Sequence, residues 1–175
     1  MTRVLAGLVV MLALCAVGCE KGGGGAGPTI SSARASDATA EAEIRAVMDR
    51  YVKGVNEADE DGLKELWAEP DKVSFVSPIQ RIRTWDEMHG FIQGFLKGSF
   101  TRRELKFSEL ALQTAGDTAW AVFDWEFNAT TTDGKPFQSR GWETQVYQKT
   151  DRGWKIRHIH YSAAMTPPAE GKPIP

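Results

Sequence analysis

From Leu105 to Ser162 the chain keeps one rhythm. Large apolar residues alternate with polar ones, and the alternation stops only at turn sequences. Leu105 to Gln113 reads as a strand, and Gly116-Asp117 turns it. Thr118 to Thr131 reads as a long strand with Ala119, Ala121, Phe123, Trp125 and Phe127 on one face. Asp133-Gly134 turns it back, Phe137 to Lys149 returns, and Asp151-Arg152-Gly153 leads into a last strand ending near Ser162. Period-two patterning with Asp-Gly turns is the mark of half-buried antiparallel strands joined by hairpins. Such a meander has one apolar face that must be covered, and this constrains what the rest of the chain can be.

The segments before it can cover that face. Ile44, Val47, Met48, Tyr51, Val52 and Val55 recur at helical spacing and predict a helix from about Asp37 to Asn56. Asp59 caps a short second helix that turns Leu63, Leu66 and Trp67 inward and ends at Glu69-Pro70-Asp71. Val73 to Ser77 reads as a short strand stopped by Pro78. Thr84-Trp85-Asp86-Glu87 is a capping box for a third helix, with Met88, Phe91, Ile92, Phe95 and Leu96 on its apolar face and its end near Gly98. Helices first and strands last mean an α+β fold: three helices on one face of a curved, mainly antiparallel sheet. A cone of this kind leaves a cavity at its open end unless side chains fill it.

The N-terminus reads as a processing signal. Arg3 precedes an apolar run from Val4 to Ala16, too short to span a bilayer, and Ala16-Val17-Gly18 precedes Cys19. Small residues before a cysteine resemble a bacterial lipobox, which implies an acylated Cys19 after removal of residues 1–18; Ala16 and Gly18 also suit ordinary secretory cleavage after Gly18. Residues 19–36, rich in Gly and Ser, read as a flexible tether, 37–164 as the folded domain, and 165–175 as an irregular Pro-rich tail. The expected location is therefore outside the cytoplasm, on the periplasmic or outer side of a bacterial membrane. A chain of 175 residues, 42% hydrophobic and 25% charged, suits one domain with a real core. Its net charge of −2 and the lack of basic runs exclude nucleic acid as a partner. Both cysteines lie in the first nineteen positions, so no disulfide framework is expected in the domain.

A three-residue final loop pairs Thr150 with Trp154. It then sets Gln145 opposite Ile159 and Glu143 opposite Tyr161, with Thr144 facing His160 and Val146 facing His158 on the other side. A three-residue loop at Asp133-Gly134 adds Phe123 and Trp125 to the face of Glu143, Gln145 and Tyr161. Arg140, Trp142, His158 and His160 then share the opposite face with Asp124 and Glu126. The two histidines point the same way, but a metal site needs further ligands, and only His89 remains, on a helix. They read as polar strand residues at an oligomer interface or a solvated face, and no metal or cofactor is expected. Trp120 and Trp142, with the histidines, make that outer face a candidate homodimer surface.

The layout from about 40 to 164 resembles the SnoaL-like branch of the ketosteroid isomerase and nuclear transport factor two superfamily. The ending Glu143 to Tyr147, Asp151 to Trp154 and His158 to Ser162 is also similar to the association domain of calmodulin-dependent kinase. The resemblance implies that Tyr51 stands where ketosteroid isomerase has its oxyanion-hole tyrosine, with Trp67 in place of a supporting aromatic. Ser77-Pro78 stands where that enzyme has its aspartate base, and Gln145 where it has a protonated acid. The association domain's arginines, which would fall on Gln145 and Tyr161, are absent. What the resemblance implies is a retained pocket without steroid-isomerase chemistry.

The site expected from residues and resemblance together consists of Tyr51, Trp67, Ser77, Phe91, Phe123, Trp125, Glu143, Gln145 and Tyr161. Tyr51 and Glu143 are its candidate catalytic groups. The leading expectation is a lipid-anchored domain that binds a small organic molecule in an apolar pocket. The alternatives are an enzyme of isomerase, dehydratase or cyclase type using Tyr51 and Glu143, and a non-catalytic dimerisation module.

Overall fold

A computed structural model describes residues 30–164, with side chains from Asp37 onward. The expected leader, the acylated Cys19, the tether up to residue 29 and the tail from 165 lie outside the described residues. Helix α1 spans Ile30–Glu57. It starts seven residues before the expected Asp37, so the last part of the expected tether is helical. Ala33, Arg34 and Ala35 are good helix formers, and nothing there breaks the helix.

Helix α2 is Glu60–Glu65, and the Asp59 side chain accepts from the Gly62 N–H at 3.1 Å. A 3-10 turn at Pro70–Lys72 leads into strand β1, Phe75–Val76. Strand β2, Arg81–Ile82, was not expected from the sequence; its two residues are too few to carry a pattern. Helix α3 is Trp85–Phe91. Its Thr84 cap accepts from the Glu87 N–H, and Glu87 reaches back to the Arg83 N–H at 2.6 Å. The helix does not run unchanged to Gly98, as expected. It widens into a π-helical segment over Ile92–Lys97. A Cβ at Gly90 or Gly94 would meet nothing within 4 Å, so packing does not require these glycines. What they supply is backbone freedom where the helix changes pitch.

Strands β3 (Phe100–Ala115), β4 (Thr118–Thr131), β5 (Pro136–Thr150) and β6 (Gly153–Ala163) form the meander. The sheet order is β2-β1-β6-β5-β4-β3, antiparallel except where β1 runs parallel to β6. Register shifts at Phe100/Arg102, Ser108/Ala111 and Val146/Tyr147 mark bulges, and Glu109 takes φ 50 in the second. Bulges bend strands, which makes one sheet face concave. Helix α1 and the α3 segment cover that face and bury Ile44, Val47, Met48, Ile92 and Leu96 against Ala119, Ala121, Ile156 and Ile159.

Polar side chains close the joints between the helical layer and the sheet. Asn56, near the end of α1, accepts from the Leu105 N–H at 2.6 Å and donates to the Leu105 carbonyl. Arg103 donates to the carbonyls of Asn56 and Leu96, which satisfies helix-end acceptors, and to that of Phe100 at the start of β3. Together these two residues pin the helix ends over the start of β3, at the mouth of the cone.

Candidate functional site

The hairpin geometry decides which side chains meet. The β4–β5 loop closes with Thr131 N–H on the Lys135 carbonyl, and Gly134 sits at φ 84, giving the expected three-residue loop. Phe123 then pairs with Glu143, which pairs with Tyr161. The β5–β6 turn differs from the expectation. Thr150 pairs with Gly153 instead of Trp154, so the loop is one residue shorter. The bulge beyond Tyr147 leaves Arg157 unpaired and restores the count, so Gln145 meets Ile159 and Glu143 meets Tyr161 as expected.

Glu143 is 3% exposed and Gln145 fully buried. The Gln145 amide donates to the Glu143 carboxyl at 2.6 Å, and the Tyr147 hydroxyl donates to the Gln145 carbonyl oxygen. Tyr51 comes down from α1 and adds its phenol as a second hydrogen bond to Glu143. Burial pushes the Glu143 carboxyl up to about 7, against the pull of the hydrogen bonds from Gln145 and Tyr51. Burial, and then the neighbouring Glu143 charge, raise the Tyr51 and Tyr147 phenols well above their ordinary value. A carboxyl balanced near neutrality can take a proton from a bound molecule or give one to it.

This group opens onto a cavity of about 130 Å³. Tyr51, Trp67, Phe91, Trp125, Glu143 and Tyr161, all expected at the site, line it. Three other expected site residues do not. Ser77 caps the β1–β2 turn, accepting from the Gln80 N–H and donating to the Gln80 carbonyl, and hydrogen-bonds the Tyr161 phenol. Phe123 packs on Phe107 in the wall, with ring centroids 5.5 Å apart. Gln145 lies behind Glu143 and orients it.

The cavity also takes in Phe95, Phe127, Phe137 and Ser139, which sequence reasoning missed. Period two from Glu143 back to Ser139 pointed to the last of these. Tyr147 could have been found by the same step in the other direction. Phe91 stacks on Phe95 at 5.1 Å, and Phe75 sits between Phe91 and Tyr161, so the helix side of the cavity is aromatic.

Gly141, opposite Trp125, leaves the inward position empty. A Cβ there would lie 1.8 Å from the Ser162 carbonyl oxygen, so backbone crowding demands glycine. The histidines lie elsewhere. The His158 Nδ1 meets the Ser74 hydroxyl at 2.8 Å, and burial lowers its basicity below the ordinary value. His160 is exposed on the outer face. Among the described residues no three His, Cys, Asp or Glu side chains group closely enough to hold a metal ion.

The match to known proteins follows the same outline. A nuclear transport factor 2-like superfamily protein from Salmonella enterica serovar Typhimurium is 33% identical, superimposes with a TM-score of 0.70, and is covered over 99% of its length by 77% of this chain. Two further structures share the fold at lower identity. The hexachlorocyclohexane dehydrochlorinase LinA-type3 from Novosphingobium barchaimii is 15% identical, with a TM-score of 0.64 over 78% of this chain and 95% of its own. A putative dehydratase from Streptomyces avermitilis is also 15% identical, with a TM-score of 0.66 over 74% of this chain and 99% of its own. No sequence of a curated protein matches. The SnoaL-like domain family matches residues 44–166, and this chain belongs to it.

Proposed function

We propose that the domain binds a small, mostly apolar organic molecule in its cavity and that Glu143 exchanges a proton with that molecule. The observation that carries this reading is a carboxyl, the one acid among the described lining residues, held by Tyr51 and Gln145 in a mostly apolar cavity. As carboxylate, Glu143 removes a proton from carbon next to a carbonyl, and the electron pair passes to the carbonyl oxygen as an enolate. Returning the proton at the same or another carbon gives exchange or isomerisation; loss of a β-hydroxyl as water, using that proton, gives dehydration. Tyr51 keeps the carboxyl oriented in both. The dehydrochlorinase and dehydratase of the same fold are named for eliminations, which fits the class.

The finer features belong to the same proposal. Cys19 carries the acyl anchor, and Cys19→Ser should move the protein from the membrane to the soluble fraction; unchanged membrane retention counts against it. The outer sheet face pairs two copies.

The test uses acetophenone in buffered D2O, with α-proton exchange followed by NMR. The wild-type protein should speed exchange above the buffer rate, with a rising limb near pH 7, and Glu143→Gln should return it to background. Equal acceleration by both proteins removes Glu143 from the chemistry.

A further inference from the structure

Glu143 is the one acid among the described residues that line the cavity, and no Lys, Arg or His is among them. What acts on its carboxyl is burial, then the hydrogen bonds from Gln145 and Tyr51; no cation contributes. Folded proteins rarely leave a buried charge without an opposite one, because its lost hydration is then not offset. The carboxylate form of Glu143 therefore lacks a counter-charge within the described residues.

The wall around it has a second property. More than half of the lining side chains are aromatic. Tyr161 is the direct cross-strand neighbour of Glu143, and its ring meets Phe75 at 62° and Trp125 at 89°, with each centroid 5.6 Å away. Phe91 adds a tilted contact with Phe75 and stacks on Phe95. Rings inclined to one another in this way form a cup, not a flat stack. An aromatic ring carries negative charge on its face, and cups of such rings bind organic ammonium groups.

We propose that the cavity takes an organic cation, a quaternary ammonium on an apolar body, held by the aromatic wall with the Glu143 carboxylate as its counter-charge. This rests on the small-molecule half of the proposed function and adds the charge of the ligand. A carboxylate or phosphate would meet no opposite charge among the lining residues and would face Glu143. A neutral apolar molecule would leave the carboxylate unpaired. A quaternary ammonium spreads its charge over its methyl groups and has no N–H to leave unsatisfied. It therefore loses less on entering an apolar wall than a compact ion does.

The experiment uses three probes of similar outline: phenyltrimethylammonium, its neutral isostere tert-butylbenzene, and the anion benzenesulfonate. Binding to the full chain is followed by ligand-observed NMR at pH 6 and pH 8. None of the probes titrates in that range, so a pH effect belongs to the protein. The Tyr51, Tyr147 and Tyr161 phenols around Glu143 are raised above their ordinary value by burial and stay neutral throughout. Glu143 releases its proton at about 7, so the cation should bind about tenfold more tightly at pH 8 than at pH 6. tert-Butylbenzene should gain nothing, benzenesulfonate should bind at neither pH, and the gain should vanish in Glu143→Gln. A cation affinity that stays flat, a gain shared by tert-butylbenzene or kept in Glu143→Gln, binding of benzenesulfonate, or binding of tert-butylbenzene alone overturns the inference. Each of these leaves the small-molecule reading standing. Failure of all three probes to bind overturns both. The comparison of cation with isostere needs no variant, so the test holds even if Glu143→Gln folds poorly.

Discussion

The two faces of strand β5 use the same period and opposite physics. Inward, Ser139, Gly141, Glu143, Gln145 and Tyr147 form a polar line inside the core. Outward, Arg140, Trp142, Thr144, Val146 and Gln148 face solvent or lie half-covered. Trp142 is 54% exposed although it is the largest side chain of the set, while Glu143 beside it is 3% exposed. What the contrast teaches is that residue type does not mark the site here. The histidines that attract notice in the sequence lie on the outer side, one of them tied to a serine. The glutamate that looks ordinary is the group whose charge the fold opposes.

The largest effect should come from that opposition. The folded Glu143 carboxyl titrates at about 7, above its ordinary 4.5, so between those values the native state holds a proton that the unfolded chain has released. Stability is then fully present below about pH 4.5 and is lost as pH rises through 7, by about 3 kcal/mol in total. Glu143→Gln keeps the acceptor for Gln145 and cannot ionise. Denaturant melts at pH 5 and pH 8 should differ by most of that amount, about 2 kcal/mol, for the wild type once the common drift seen in the variant is subtracted. A wild type that tracks Glu143→Gln at both pH values breaks the contrast between the faces.

The outer face should answer to association. Trp142 and Val122 are exposed there, beside Thr144 and His160 on the neighbouring pairs. If two copies pair through this face, Trp142→Glu should weaken the dimer by about 2 kcal/mol, roughly thirtyfold in Kd, as for a buried tryptophan at an interface. Stability of the separated monomer should change little, because the side chain is already wet. Sedimentation equilibrium reads both species, and a wild-type protein that stays monomeric ends the proposal.

The sequence made this two-faced arrangement readable because period two survives small errors. The expected Thr150–Trp154 pair was off by one, yet every inner pair from Val146 to Glu143 stands, since the shorter turn and the bulge at Arg157 cancel. The faces of Phe123, Trp125 and Tyr161 followed from the same count. Other features have no local signal. The π-helical segment, the two-residue β2 and the Gly141 contact with Ser162 depend on what lies across the fold. The separation of Ser77 from the cavity depends on a turn whose hydrogen bonds are set by Gln80.

The smallest effect should be the mirror image of the first. Burial lowers the basicity of His158, helped by the nearby His160 and Arg81 and opposed by a hydrogen bond with the Ser74 backbone. Here too the fold prefers the neutral form, but for a base that means resisting a proton. Below the ordinary value of 6.5 the unfolded chain binds a proton that the native state does not, so this contribution is present at high pH and lost as pH falls. The signs for Glu143 and His158 are opposite although desolvation causes both. His158 keeps much of its surface in water, so its effect should be well below that of Glu143. An NMR titration of the imidazole signals should put His158 under 6.5. A His158 that titrates at or above its ordinary value would mean that the outer end of β6 is wetter than its half-buried place beside Ser74 implies, and desolvation would then act on the inner face alone.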